Sequence, residues 1–420
     1  MGFINDYCGK KNHYYHDYIQ SFVSFLIPKG KTSFEVKTDI NFERISPEKF
    51  DYVVASDVLG YVYNIEGFLK NLSTIITPDG RVIITQYNVL WGPILSLASK
   101  LGLRRPETPQ NWLSMFDLEN FALLANLEVL KSGTKMLMPG YIPLISKFMN
   151  MFISNIFPFS KLGIFHYLVL RKKTNLALTD RYAVSMIVAT RNEAGNIAKI
   201  IKELPSIGKF TELIFVEGGS SDNTLEVIKK EVATYTGDKK IKFAVQTGKG
   251  KGDAIRKGFD MATGDILLIY DADMTVPADE LLSFYEAIVT KKADFINGSR
   301  LVYPMEKESM KFFNILGNKF FSLAFSFIFG QGLKDTLCGT KVLWKKDYED
   351  IKINRSFFGD FDPFGDFDLL LGATKLNLKI IDLPVHYKER TYGETNINRW
   401  SHGWLLLRMT IFAARKIKFI

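Results

Sequence analysis

The sequence predicts an α/β chain of two domains. Three observations carry this. At 420 residues the chain is longer than one ordinary core encloses. From Val184 onward, short apolar runs alternate with helical patterns, as in a mostly parallel sheet with crossover helices. Between these halves, Thr174–Tyr182 is a polar break that follows Arg171, Lys172 and Lys173. The expected division is residues 1–173, a linker at 174–183, and 184–420.

In the first domain, Asp51–Ala55, Arg81–Thr85 and Tyr167–Leu170 read as strands. Ile65–Ile76 reads as a helix, and Thr77–Gly80 as a turn. In the second, strands are expected at Val184–Ala189, Leu213–Val216, Ile241–Val245 and Ile266–Tyr270. Helices are expected at Asn196–Leu204, Thr224–Val232, Asp253–Ala262 and Pro277–Thr290. Such sheets bind ligands beyond the carboxyl ends of their strands, so the strand-to-helix junctions are where chemistry belongs.

An apolar fraction of 47% excludes a mainly disordered chain. Cys8 and Cys338, the only cysteines, exclude a disulfide framework or a four-cysteine zinc site and fit a reducing compartment. His13, His16, His166, His386 and His402 are too scattered to argue a metal site. A net charge of +9 suits anionic partners, but no nucleic-acid recognition motif accompanies it, and no nucleic acid is expected.

Residues 1–20 show no apolar core of a signal peptide. Val82–Ser99 carries no charge, yet contains Thr85, Gln86, Asn88, Gly92 and Pro93. Phe148–Ser160, Phe320–Leu333 and Trp400–Leu407 are apolar but shorter than the ~20 residues of a membrane span. Phe312, Phe313, Leu316, Phe320, Leu323 and Phe327 share one helical face. Trp400, Trp404, Leu407, Ile411, Ala414 and Ile417 form a second stripe, near Arg408, Arg415, Lys416 and Lys418. Apolar stripes flanked by cations suit helices lying in a membrane surface; core or dimer packing is the alternative. The expectation is a cytoplasmic protein, peripheral on the cytoplasmic face of a membrane.

Asp271-Ala272-Asp273 follows the apolar strand Ile266–Tyr270. In an extended chain, residues i and i+2 point to one side, so the two carboxylates would converge. Mg²⁺ or Mn²⁺ favours such an oxygen site and shares its shell with substrate phosphates. Thr190-Arg191-Asn192-Glu193 and Val216–Thr224 follow two other strands, and Gly248–Ala254 opens a helix with alternating glycine and lysine. Glycines let backbone approach a phosphate and lysines supply charge. The Gly248 segment lacks the Ser/Thr of a Walker loop.

The order of these motifs resembles the family 2 glycosyltransferases of GT-A fold, over about Val184 to Phe419, in the subgroup of polyprenyl- or dolichol-phosphate hexosyltransferases. The matching segments are Ala189–Glu193, Val216–Thr224, Gly248–Asp265, Tyr270–Asp273, Asn297–Arg300, Asp335–Lys341, Phe364–Leu370 and Glu389–Ile397. The resemblance implies that Glu193 and Glu217 border the base and ribose. It places Ala189, Arg191, Lys251, Asp271, Ala272, Arg300 and Asn396 on the nucleotide sugar, with Asp271 and Asp273 at the metal. It implies phosphate contacts for Arg300 and Arg390, an acceptor-side role for Asp366, and support of the acceptor pocket by Asp335. The family commonly has two aspartates where this chain has Glu217 and Gly218, and a lysine where it has Asn396.

Phe50–Thr85 resembles the later half of a class I S-adenosylmethionine-dependent methyltransferase, a Rossmann-like fold, with similarity over about residues 10–170. That family needs a glycine-rich loop after its first strand. Only Gly30 lies between Pro28 and Phe50, with no room expected for a strand, loop and helix, and no G-x-G occurs in residues 1–170. The expected domain is an incomplete methyltransferase fold, with S-adenosylmethionine binding not expected and Asp57 and Asp79 as fold residues.

The expected function is therefore transfer of a hexosyl group from a nucleotide-diphospho-sugar to a polyprenyl phosphate, with a divalent metal and inversion. A glycan hydroxyl acceptor is the first alternative. A methyltransferase or a non-catalytic binding module is the alternative from another class.

Overall fold

The computed structural model describes residues 13–37, 48–94, 97, 111–174, 176–303, 312–357, 365–390, 392 and 399–420. The chain divides into two compact units, Met1–Lys173 with Ile417–Ile420, and Thr174–Lys416.

The first unit runs α1 (His13–Leu26), β1 (Ser33–Glu35), β2 (Phe50–Ser56), α2 (Ile65–Thr74), β3 (Ile76–Tyr87), α3 (Met115–Leu124), β4 (Leu127–Lys135), α4 (Ile145–Met151) and β5 (Phe165–Lys172). Its sheet has the order β1-β2-β3-β5-β4. β1, β2 and β3 are parallel, and β5 is antiparallel to both β3 and β4. Alternation along β2 explains the layers. Val53 and Ala55 pack with Leu69 and Leu72 of α2 and Leu118 of α3, while Tyr52 and Val54 pack with Ile19 and Phe22 of α1. α2 starts at Asn64, whose side chain accepts from the Gly67 N–H at 2.9 Å, and α3 starts at a reciprocal Ser114–Asp117 capping box.

Between Pro28 and Phe50 the described residues hold one three-residue strand, β1. One expectation changes here. The segment Thr77–Gly80 is an excursion within β3, because the register jumps from Phe50 opposite Ile76 to Tyr52 opposite Arg81.

The second unit runs β6 (Val184–Thr190), α5 (Ala194–Glu203), β7 (Thr211–Glu217), α6 (Thr224–Thr234), β8 (Lys240–Val245), α7 (Lys251–Met261), β9 (Ile266–Ile269), α8 (Leu281–Val289), β10 (Phe295–Ser299), α9 (Phe312–Phe329), β11 (Lys341–Trp344), α10 (Lys345–Asn354), α11 (Asp366–Lys375), β12 (Ile380–Pro384) and α12 (Arg399–Ala413). The sheet order is β12-β10-β11-β9-β6-β7-β8, parallel except for β11. Val184, Met186 and Val188 of β6 pack with Ile197, Ile200 and Ile201 of α5. The opposite face takes α7, which approaches so closely that a Cβ on Gly258 would stand 2.5 Å from Ile187 Cγ2. The expected helix Pro277–Thr290 is a 3-10 turn at Ala278–Glu280 followed by α8. Among the described residues, no helix is long and apolar enough to cross a membrane.

Candidate active site

Loops at the carboxyl ends of β6, β7 and β9 are tied together by polar side chains. After β6 the chain turns through Asn192, whose φ is +58°. The Asn192 N–H donates to Ser220 Oγ at 3.0 Å, and its Oδ1 accepts from the Ser221 N–H at 2.8 Å. The Glu193 N–H donates to Thr224 Oγ1 at 2.9 Å, at the start of α6. Arg191 is exposed on this loop; Ala189, half-buried, pairs with Val216 one residue before each strand ends.

Two buried acids at neighbouring strand ends are driven in opposite directions. Burial pushes the Glu193 carboxyl up to about 7, against a 2.7 Å hydrogen bond from Asn196 Nδ2 and the charge of Arg390. Burial would raise Glu217 too. Hydrogen bonds from Ser220, including its N–H at 2.5 Å, and from the Gly219 N–H reverse that and hold Glu217 below its ordinary value. At neutral pH Glu217 is therefore the settled anion, and Glu193 the acid that can hold or release a proton.

The Asp271–Asp273 segment is not extended as expected. The Met274 N–H donates to the Asp271 carbonyl at 3.1 Å and Met274 has φ +55°, so the chain makes a tight turn. Ala272 points into the core, leaving only its backbone toward the site. The two carboxylates take different cations. Lys251 Nζ stands 2.5 Å from Asp271 Oδ1, and Arg390 Nη2 stands 2.7 Å from Asp273 Oδ2. Asp273 Oδ1 also accepts from the Thr275 N–H at 3.2 Å and Oγ1 at 2.9 Å. Burial would raise Asp271, but Lys251, helped by Lys341 and Arg300, holds it below its ordinary value. Arg390 reaches back to Glu193, with Nη1 3.5 Å from Oε1.

Two carboxylates give the hard oxygen donors that Mg²⁺ or Mn²⁺ prefers, with water and substrate phosphate completing the shell. Among the described residues no group of three or more His, Cys, Asp or Glu gathers. An ion here would thus depend on Asp271, Asp273 and oxygens of its ligand. That chemistry fits a diphosphate substrate.

Asp335 is fully buried and fully occupied. It accepts from Arg300 Nε (2.7 Å), Nη2 (3.0 Å) and N–H (3.1 Å), from Asn318 Nδ2 (2.7 Å) and from the Leu337 N–H (3.0 Å). Burial would raise it, yet the Arg300 guanidinium and these bonds hold it at about 2. It fixes Arg300, whose guanidinium also lies 5.1 Å over the Tyr387 ring. Asp335 therefore acts as an anchor for Arg300 and not as a group open to an acceptor.

α11 begins at Asp366 after Gly365, which has φ +75°. A Cβ on Gly365 would stand 2.8 Å from Gly252 Cα, so the first turn of α11 lies beside the first turn of α7, which carries Lys251. The Asp366 side chain and the whole of Asn396 lie outside the described residues.

Three contributors lie in segments matched by sequence but received no role there. Lys341, buried at the start of β11, adds its charge to the field on Asp271 and donates to the Cys338 carbonyl. Gly339 lies against Asp271 so closely that a Cβ there would overlap the carboxylate. Tyr392 lies on Gly195 at the start of α5, where a Cβ would stand 2.6 Å from the ring. The signal for Lys341 was a lysine opening an otherwise apolar strand, KVLW.

Residues 185–351 match the model of glycosyl transferase family 2, and residues 11–132 match a methyltransferase domain model. Glycosyltransferase AglJ of Haloferax volcanii is 27% identical over 226 residues, which are 53% of this chain and 69% of AglJ. The low-salt glycan biosynthesis hexosyltransferase Agl6 of the same organism is 26% identical over 235 residues, which are 55% of this chain and 54% of Agl6. Among solved structures, the mannosyltransferase PcManGT of Pyrobaculum calidifontis, in complex with GDP-Man and Mn²⁺, shares 20% identity over 58% of this chain and 67% of its own, at a TM-score of 0.37. The chain carries a glycosyl transferase family 2 domain, preceded by a domain of the methyltransferase type.

Proposed function

We propose that the chain transfers a hexosyl group from a nucleotide-diphospho-sugar to a polyprenyl phosphate at the cytoplasmic face of a membrane. One observation supports this most. Asp271 and Asp273 share a turn at the end of β9, with Lys251 and Arg390 on their carboxylates and Arg300 and Lys341 contributing to the field. Carboxylates for a divalent ion, ringed by fixed cations, are what a departing nucleoside diphosphate requires. The names of AglJ and Agl6 point to the same reaction class.

In the reaction the bond from the anomeric carbon to the diphosphate oxygen breaks. A new bond forms to an oxygen of the acceptor, from the opposite face. A divalent ion held by Asp271 and Asp273 would supply charge stabilisation to the leaving diphosphate. Lys251, Arg300 and Arg390 bind and orient the phosphates. Arg191, Glu193, Glu217, Ala189 and the Ala272 backbone line the nucleotide side, to which the family resemblance alone also assigns Asn396. Asp335 positions Arg300. A phosphate acceptor is already anionic and needs no strong base. A glycan hydroxyl would need one, and the family resemblance makes Asp366 the candidate; the name of Agl6, a glycan biosynthesis hexosyltransferase, favours keeping this second reading.

The membrane location draws on two faces. Leu316, Phe320, Leu323 and Phe327 are exposed along α9. On α12, Leu405, Ile411 and Phe412 line a groove with Arg408 and Arg415, pairing an apolar floor with guanidinium groups. The test is release of nucleoside diphosphate from a panel of UDP- and GDP-sugars with Mg²⁺ or Mn²⁺, with and without polyprenyl phosphate. Release that requires polyprenyl phosphate is expected. Release that requires instead a glycan acceptor would move the assignment to the hydroxyl reading.

A further inference from the structure

One segment of the first unit is built inside out. Between β4 and β5, the residues four apart at Ser146, Asn150 and Ser154 are buried, whereas Leu144 is 85% exposed, Phe157 77% and Phe148 54%. A helix or turn facing water shows the reverse pattern.

The inversion is enforced by hydrogen bonds. Asn150 Oδ1 accepts from the Leu137 N–H (2.8 Å) and the Met138 N–H (2.9 Å), while its Nδ2 donates to the Met138 carbonyl (2.8 Å) and Tyr14 Oη (3.3 Å). Ser146 Oγ accepts from the Ile142 N–H (2.8 Å) and donates to the Gly140 carbonyl (2.7 Å). Lys135 Nζ donates to Asn155 Oδ1 at 2.8 Å. With the polar side chains spent inward on backbone, the apolar ones can only point out. Their exposure is thus a property of the folded segment.

Charge identifies what covers the face. From Val129 to Thr179 there is no acidic residue, and Lys147 and Lys161 are exposed beside the apolar side chains. A second copy would bring the same cations against these, a like-charge juxtaposition. Anionic headgroups over an apolar layer match both properties. The described helices do not cross a bilayer, so such a face would lie in the interface.

We infer that this inverted segment docks the first unit on an anionic lipid surface, with Leu144, Phe148 and Phe157 in the acyl boundary and Lys147 and Lys161 at the headgroups. This goes beyond the transferase reading and does not depend on it, because the segment belongs to the methyltransferase-type unit.

The test is flotation of the full chain with vesicles of phosphatidylcholine, alone or mixed with phosphatidylglycerol. The parent is expected to float with the mixed vesicles. The triple variant Leu144→Ser, Phe148→Ser, Phe157→Ser is expected to lose at least about tenfold in binding, since three buried apolar side chains are worth more than one decade. The double variant Lys147→Glu, Lys161→Glu is expected to lose the preference for phosphatidylglycerol. All five positions are exposed, so an unchanged thermal midpoint accompanies these results. Flotation of the triple variant equal to the parent would overturn the inference, because α9 and α12 would then account for all binding. So would a parent that does not float and is dimeric while the triple variant is monomeric, which makes the face an interface between copies.

Discussion

Arg390 Nη2 stands 2.7 Å from Asp273 Oδ2, an ion pair across 117 positions of the chain. The pair sets on the carboxylate of the turn after β9 a cation with which a bound metal must compete. Arg390→Ala is therefore expected to tighten Mn²⁺ binding about fivefold, the effect of removing roughly 1 kcal/mol of like-charge opposition. Turnover of the same variant should fall, because the proposed phosphate contact goes with the guanidinium. Free Mn²⁺ measured by electron paramagnetic resonance gives the affinity; weaker binding would remove Asp273 from the metal set.

Glu193 offers a pH signature. Its folded value of about 7 is raised above the ordinary 4.5. Its contribution to stability is thus full below about 4.5 and is lost as pH rises through 7. Glu193→Gln mimics the protonated form. It should match the parent at pH 4 and exceed it at pH 8, by up to about 3 kcal/mol. Thermal midpoints at the two pH values decide this; equal differences at both would mean that Glu193 is ionised throughout.

The Asp335–Arg300 pair should be costly to break. Asp335→Ala leaves a buried guanidinium without its carboxylate, an expected loss of about 3–5 kcal/mol read by denaturant unfolding. Acid should not reproduce this loss in the ordinary range. The folded carboxyl lies at about 2 against 3.8, so its contribution persists above about 3.8 and disappears only as pH falls through 2.

Gly339→Ala separates site from fold. The added Cβ would overlap the Asp271 carboxylate and push it off Lys251. Diphosphate release is expected to fall about a hundredfold or more, as when one stabilising donor at a reacting group is lost. Circular dichroism should stay unchanged. Parent-like release would show that Asp271 does not need its present position.

His166 in the first unit is buried, and neither ring nitrogen has a hydrogen-bond partner among the described residues. Burial, with the charge of Lys161, lowers it from 6.5 to about 4. Its contribution is present above about 6.5 and is lost as pH falls through 4. His166→Phe should flatten the acid side of the stability profile between these values.

Much of the second unit was legible because each strand there is a continuous apolar run ending in a polar junction, as at Val184–Thr190 and Thr211–Glu217. The missed strands had no such signal. β4 mixes Glu128, Lys131 and Ser132 into its face, and β11 opens with a buried lysine. At the site, the acids and arginines were legible as residue types, but not their pairings. Joining Arg390 to Asp273 needs the tertiary fold, and so does the occupation of Asp335 by Arg300. The tight turn at Asp271–Asp273 was missed because a period-2 argument assumes that the strand continues past Ile269. The inverted segment at residues 144–157 reads in sequence only as apolar; its outward direction is set by the buried Asn150 and Ser146 bonds.

The central claim is that Asp273 and the cations around it carry sugar transfer from a nucleotide-diphospho-sugar. The most direct test compares nucleoside diphosphate release by the parent and by Asp273→Ala, with Mn²⁺, the donor panel and polyprenyl phosphate. The parent should release diphosphate and Asp273→Ala should release none above background while keeping its thermal midpoint. Release by Asp273→Ala at the parent's rate would contradict the claim.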